Sequence, residues 1–156
     1  LRLTGGQTAD DRPFVRELRR RIKSAGATGV VEFLPQFDRE SRRGLLNSLT
    51  VLSVPMPAGE AFGLFLVEAA AAGVPVVQPR SGAFPEIVGA TGGGILYEPA
   101  TAEALFAALR DLLSDPDRLS HLSALGRKNF LCGFTADIMA AATADVYAEV
   151  SACGKR

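Results

Sequence analysis

Short apolar runs alternate along the chain with longer segments whose apolar residues recur every three or four positions. Residues 1–3 read as a buried strand that ends in a tight turn at Gly5 and Gly6. From residue 12 to residue 25, Phe14, Leu18 and Ile22 recur every four positions and so line one face of a helix. Asp11 and Pro13 suit the start of that helix. Residues 30–34 form the next strand, and Asp38 is placed to cap a helix carrying Leu45, Leu46 and Leu49. A third strand at 51–54 is closed by Pro55. Residues 62–72 are apolar on nearly every side, which predicts a buried helix, and Gly73 stops it. A fourth strand at 74–77, a short helical turn at 84–88 and a fifth strand at 95–97 follow. Beyond them the strand pattern ceases. Thr101 can cap a helix through Leu113, Asp115 and Pro116 open another, and residues 136–150 make the last, with Phe134 and Tyr147 packing these helices.

Strands rich in Val, Ile and Leu that alternate with helices predict an α/β fold, a Rossmann-like parallel sheet with helices on both faces. Ligands of such sheets bind beyond the carboxyl ends of the strands. The turns to inspect are therefore 5–9, 35–38, 55–62, 78–85 and 98–101.

Composition narrows the class. The chain has 156 residues, one domain's worth, and is 47% hydrophobic and 22% charged, enough to bury a core. Seventeen Lys and Arg balance seventeen Asp and Glu, which argues against a nucleic-acid partner. The balance hides an asymmetry: residues 1–43 carry ten basic and six acidic groups, and residues 44–156 seven and eleven. Arg19, Arg20, Arg21 and Lys23 read as a solvated helix face, with anionic lipid or a partner domain as the sharper alternative. Two cysteines, Cys132 and Cys153, and one histidine, His121, provide neither a disulfide framework nor a metal-ligand cluster, and they read as structural or inert. Gly92, Gly93 and Gly94 have no lysine after them and read as a turn rather than a phosphate loop. The most apolar stretch, 61–77, is broken by Glu68, Gly73 and Pro75 and cannot span a bilayer. With no charged-then-apolar leader, the expectation is a soluble domain of the cytoplasm.

The loop before the buried helix holds the chemistry. Residues 55–63 are rich in Gly and Pro and open straight into a helix, whose unpaired N–H groups and partial positive charge suit a phosphate or diphosphate. Gly63 would let an anion approach the backbone. Glu60 and Glu68 stand eight residues apart. Were that interval all helix, it would rise about 12 Å and bring both carboxylates into one quadrant. Glu68 is the odd residue of an otherwise apolar helix. Either it lies on a wet edge, or hydroxyl donors such as those of a ribose satisfy it.

Glu60 and Glu68, with the Gly73-Val-Pro75 that follows, resemble the E-x7-E signature of family 4 retaining glycosyltransferases. Gly82-Ala-Phe-Pro85-Glu86-Ile-Val resembles that family's G-x-PE-I-V turn, and Gly94-Ile-Leu-Tyr-Glu-Pro its next strand. Residues 1–6 and 30–34 are similar to its L-x-I-x-G and V-x-F-x-G strands. The likeness runs in order along nearly the whole chain.

The resemblance implies the C-terminal, donor-binding half of a two-domain GT-B enzyme. Glu60 would position the transferred sugar, the amides of Phe62, Gly63 and Leu64 would receive the distal phosphate, and Glu68 would accept from the ribose. Phe33, Leu34 and Pro35 would flank the base, and Gly5 and Gly6 would line the cleft floor. Ser81, Gly82 and Glu86 are further candidates, although Glu86 suits a helix start equally well. The implied donor is a UDP-, GDP- or ADP-sugar, with no metal and no cofactor. The implied partner is the enzyme's own N-terminal acceptor domain, through which a membrane surface could be met.

Two departures from the family pattern stand out. Met56-Pro57-Ala58-Gly59 replaces the small hydroxyl residue usual before the first glutamate. The Arg and Lys that grip the diphosphate lie upstream of the first strand in that family, so these residues alone are expected not to turn over. A non-catalytic scaffold with the same fold and part of a nucleotide-sugar 2-epimerase are the rival readings.

Overall fold

The computed structural model describes residues 1–5, 8–34, 39–56 and 59–153, and the chain divides into two compact units, Leu1–Arg42 and Arg43–Arg156.

In the first unit, β1 (Arg2–Leu3) and β2 (Glu32–Phe33) pair in parallel, Arg2 opposite Glu32 and Leu3 opposite Phe33. The Arg2 guanidinium lies 3.3 Å from the Glu32 carboxylate, so the register also matches charges. Between them runs α1 (Arg12–Ser24), with a proline in its first turn as expected. Asp11 does not cap it. Its carboxylate turns back to accept from Thr8, from the backbone N–H at 2.8 Å and the hydroxyl at 2.7 Å. Those bonds hold the carboxyl of Asp11 below the usual range. Leu18 and Ile22 are half-buried as the periodicity predicts, but Phe14 is 69% exposed. The polar face of α1 is partly self-neutralised. Glu17 accepts from Arg20 at 2.7 Å and Arg21 at 2.9 Å, which lowers its pKa to about 2. Arg19 instead lies over the Phe33 ring, 4.0 Å from the centroid. Both strands are shorter than expected, and Val30 is 69% exposed rather than buried.

The second unit holds the core. Helix α2 (Arg39–Asn47) leads into it, and Leu46 and Leu49 pack on its first apolar cluster. Strands β3 (Val76–Pro79) and β4 (Gly94–Tyr97) pair in parallel over four residues, from Val76 opposite Gly94 to Pro79 opposite Tyr97. The expected strand at 51–54 is present only as a parallel bridge from Leu52 to Val76.

Side chains alternate across β3. Val76 joins Leu66 and Ala69 of α3 (Leu64–Ala72) and Phe84 and Ile87 of α4 (Phe84–Thr91). Val77 joins Tyr97 and Leu112 on the opposite face, under α5 (Ala102–Leu113). Burial pushes the Tyr97 phenol upward in pKa. The ladder is thus covered on both faces, the arrangement expected for parallel strands.

Local signals explain the helix ends. Gly73, at a φ of 70°, stops α3, and Ser123 and Arg127 donate to the carbonyls of Gly73 and Ala71 there. Thr101 caps α5 by accepting from Ala104, and Asp115 caps α6 (Pro116–Gly133) by accepting from Arg118 at 2.9 Å. Helix α4 runs to Thr91, three residues beyond the short turn expected, because the Thr91 hydroxyl donates to the Ile87 carbonyl and Gly92 makes the stop. The last helix, α7 (Ala136–Cys153), has no buried residue, and Tyr147, expected to pack, is 69% exposed.

Candidate functional site

The loop before α3 is where backbone N–H groups and an acid meet. Helix α3 begins at Leu64, with Gly63 as its N-cap at φ 75°, and a glycine offers no side chain to cap the first turn. Glu60 lies in the preceding loop, half-buried. Its Oε1 accepts from the backbone N–H of Ala61 at 3.0 Å and of Phe62 at 3.4 Å. The amides at the mouth of the helix therefore already hold an anionic oxygen. Phe62 and Leu64 flank them, 65% and 63% exposed.

Two parts of the expected geometry are corrected. The interval from Glu60 to Glu68 is not all helix, because a left-handed residue at position 63 cannot continue one. The single-quadrant estimate for the two carboxylates therefore does not apply. Glu68 is half-buried within α3, and Glu60 stands in the loop ahead of it. Gly63 is also required as a glycine by its neighbours, apart from any anion. A Cβ there would lie 3.0 Å from Leu66 Cδ1 and 3.3 Å from Ile87 Cδ1, facing the core, in a conformation that side chains rarely adopt.

The loop after β3 closes on the same place. Ala83 donates its N–H to the Glu60 carbonyl at 2.9 Å, and Ser81 donates its hydroxyl to the Met56 carbonyl at 3.4 Å. Gly82 packs on the backbone of Gly59 and Glu60 so tightly that a Cβ at position 82 would fall 2.5 Å from the Glu60 carbonyl oxygen. Ser81 and Gly82 are thus brought beside Glu60. Glu86 is exposed in the first turn of α4, where an acid complements the helix dipole.

The remaining candidates belong to residues 1–42. Gly5, Phe33 and Leu34 border one open cavity of about 270 Å³, together with Leu18 and the exposed ring of Phe14. Leu34 extends β2 by donating its N–H to the Leu3 carbonyl at 2.8 Å. Gly6 and Pro35, and with Pro35 the turn 35–38, lie outside the described residues. His121 is exposed on α6, and both cysteines are exposed. Among the described residues no three His, Cys, Asp or Glu side chains cluster as metal ligands, and no helix is long and apolar enough to cross a membrane.

One residue of this region escaped the pattern of the sequence. Gln78 is fully buried in β3, where its Oε1 accepts from the Val54 N–H at 3.2 Å. Its signal was available. It is a polar residue inside an apolar strand, the same oddity that marks Glu68, but the apolar run that predicts the strand ends at Val77.

Parallel strands under helices, with two glycine-rich loops meeting at the carboxyl ends, define a Rossmann-like α/β domain. The family model of glycosyl transferases group 1 matches residues 2–129, and the chain belongs to that family. It is 36% identical over 137 residues to MMP alpha-(1->4)-mannosyltransferase of Mycolicibacterium hassiacum, covering 85% of this chain and 33% of the relative. Sucrose-phosphate synthase from Thermosynechococcus elongatus superposes with a TM-score of 0.83 at 28% identity, over 98% of this chain and 39% of the other. Anabaena HepE, solved in complex with UDP, shares the fold at a TM-score of 0.85 and 22% identity, over 95% of this chain and 40% of the other. The fold is that of the C-terminal half of GT-B glycosyltransferases. The chain spans about a quarter to a third of the length of the curated relatives it matches.

Proposed function

We propose that the chain is the donor-binding domain of a retaining, metal-independent glycosyltransferase that moves a sugar from a UDP-, GDP- or ADP-sugar to an acceptor hydroxyl. The observation that carries the reading is the Glu60 carboxylate seated on the Ala61 and Phe62 amides. Those N–H groups accommodate one negative oxygen and would accommodate another. On donor binding the distal phosphate takes the amides of Phe62, Gly63 and Leu64. Glu60 gives up the Phe62 amide to it and turns to the hydroxyls of the transferred sugar.

The chemistry follows from the charges. As the bond from the anomeric carbon to the diphosphate breaks, negative charge grows on the leaving oxygen and positive charge on the sugar ring. Preorganised N–H donors at a helix mouth stabilise the first, as in oxyanion holes. A carboxylate held at the same mouth favours the second. The acceptor oxygen bonds to the face that the diphosphate leaves, its proton passes to the departing diphosphate oxygen, and the anomeric configuration is kept.

Glu68 accepts from the ribose, Phe33, Leu34 and Pro35 flank the base, and Gly5 and Gly6 line the floor. Ser81 and Gly82 back Glu60. The acceptor site belongs to a further, N-terminal domain of the same enzyme, and the Arg and Lys that grip the diphosphate to a segment upstream of β1. The enzyme works in the cytoplasm and can meet a membrane surface through that domain. The existence of a further domain is supported by the share of the relatives that the chain spans. The test is Glu60→Gln in the full-length enzyme. Turnover is expected to fall roughly 100-fold or more, with nucleoside diphosphate affinity within a few-fold of wild type. Unchanged turnover would refute the role of Glu60.

A further inference from the structure

We infer that Gln78 is a positioning residue for the reaction: its side-chain amide, in place of strand pairing, fixes the point at which the loop bearing Glu60 leaves the sheet. The inference rests on the role proposed for Glu60.

Backbone pairing between the 51–54 segment and β3 is complete around Leu52. There Leu52 donates to the Pro75 carbonyl at 2.9 Å and Val77 donates to the Leu52 carbonyl at 3.0 Å. In a parallel ladder the next rung would run from the Val54 N–H to the Val77 carbonyl and from the residue 79 N–H to the Val54 carbonyl. Residue 79 is a proline and has no N–H. The Val77 carbonyl is engaged by the Ser53 hydroxyl at 2.7 Å. The rung is replaced by a side chain, with the Val54 N–H donating to Gln78 Oε1 at 3.2 Å.

Gln78 stands in register with Leu96, on the same face of β3 as Val76, and is 0% exposed. Among the described residues its Nε2 has no hydrogen-bond partner, so a buried donor is left unsatisfied to keep the acceptor in place. An apolar residue would avoid that cost and suit the α3 and α4 side of the sheet better. What the amide contributes is placement. The loop is anchored by Gln78 at Val54 and by the Ala83 N–H at Glu60, with Ser81 on Met56 and Gly82 on Gly59 between those ends. Without the first anchor the register is still held at Leu52 and Ser53, but the chain is no longer tied at Val54, and the root of the loop that leads to Glu60 is free to shift.

The test is Gln78→Met in the full-length enzyme, which keeps the length and removes the acceptor. Turnover per folded molecule is expected to fall about tenfold to a hundredfold, with the acceptor KM within twofold of wild type. Leu112→Ala, which opens the core on the other face of the sheet, serves as the stability control. It should lower the thermal midpoint and leave turnover per folded molecule unchanged. Should Gln78→Met fail to fold, Val54→Pro removes the same hydrogen bond from its donor side and is expected to give the same loss. Turnover within twofold of wild type in the folded variant, or an equal loss in Leu112→Ala, would overturn the inference. Loss in Glu60→Gln without loss in the position 78 or 54 variant overturns this inference alone. Full turnover in Glu60→Gln overturns both it and the proposed function.

Discussion

The chain uses a strand, a helix and a parallel strand twice, with different outcomes. In β1-α1-β2 the strands are two residues long, no residue of α1 is buried, and the helix is rich in arginine. In β3-α4-β4 the strands are four residues long, all of β3 is buried, and α4 contributes Phe84, Ile87 and Val88 to the core. The difference lies in what covers the second face. Val77, Tyr97 and Leu112 close the far side of β3 and β4, so that ladder is dry on both sides. A dry ladder ends in loops whose backbone is tightly held, and there Gly59, Glu60, Gly82 and Ala83 interlock. The open unit instead offers a half-lined cavity and an exposed aromatic ring. Under the proposed function the tightly held loops carry the sugar and phosphate contacts, and the open unit carries the base.

The contrast is broken or sharpened by substitution, and the largest effect is expected in the core. Phe84 is 0% exposed and meets Phe65 edge-to-face at a centroid distance of 6.1 Å, so Phe84→Ala should cost about 3–5 kcal/mol in denaturant unfolding. Phe14→Ala in the open unit should stay within about 0.5 kcal/mol. Equal losses would erase the distinction.

Gly82→Ala comes next. Its methyl would meet the Glu60 carbonyl at 2.5 Å from a φ of 54°, and about 1–3 kcal/mol of stability should go, together with turnover, because Glu60 must move. Gly29→Ala, where a Cβ meets nothing within 4 Å and the backbone is not left-handed, is the comparison that should be mild.

The smallest effect is electrostatic. The pKa of Glu17 is lowered in the folded chain to about 2 by Arg20 and Arg21, so the stabilisation from this pair is present above the ordinary glutamate range. It is lost as pH falls from about 4.5 towards 2. Arg20→Ala should move the Glu17 titration, followed by carboxyl NMR, back up towards 4.5.

The sequence was legible where one physical cause dominates. Apolar periodicity locates α1, capping by Thr101 and Asp115 locates the starts of α5 and α6, and Gly73 locates the end of α3. It was less legible where two causes compete. Phe62 looks like the first residue of a buried helix, yet the left-handed Gly63 delays α3 to Leu64. Residues 51–54 have the composition of a full strand, but Pro79 in the neighbouring strand removes the donor for a second rung. At the candidate site, the acids and glycines could be picked out from their spacing and from the family resemblance. The return of Glu60 onto its own loop could not, since a side-chain rotamer leaves no periodic trace. Gln78 falls outside the strand expected at 74–77 because the apolar run stops at Val77, yet it continues β3 and its side chain accepts from Val54.

The central claim is that the amides at the mouth of α3 exchange the Glu60 carboxylate for a diphosphate. Titration of the isotopically labelled full-length enzyme with UDP, GDP and ADP, followed by amide NMR, tests it most directly. The account predicts that one of the three shifts the Ala61, Phe62 and Leu64 resonances saturably, with Ser81 to Ala83 following. Saturable binding that leaves those amides unmoved, or no binding by any of the three at millimolar concentration, would contradict it.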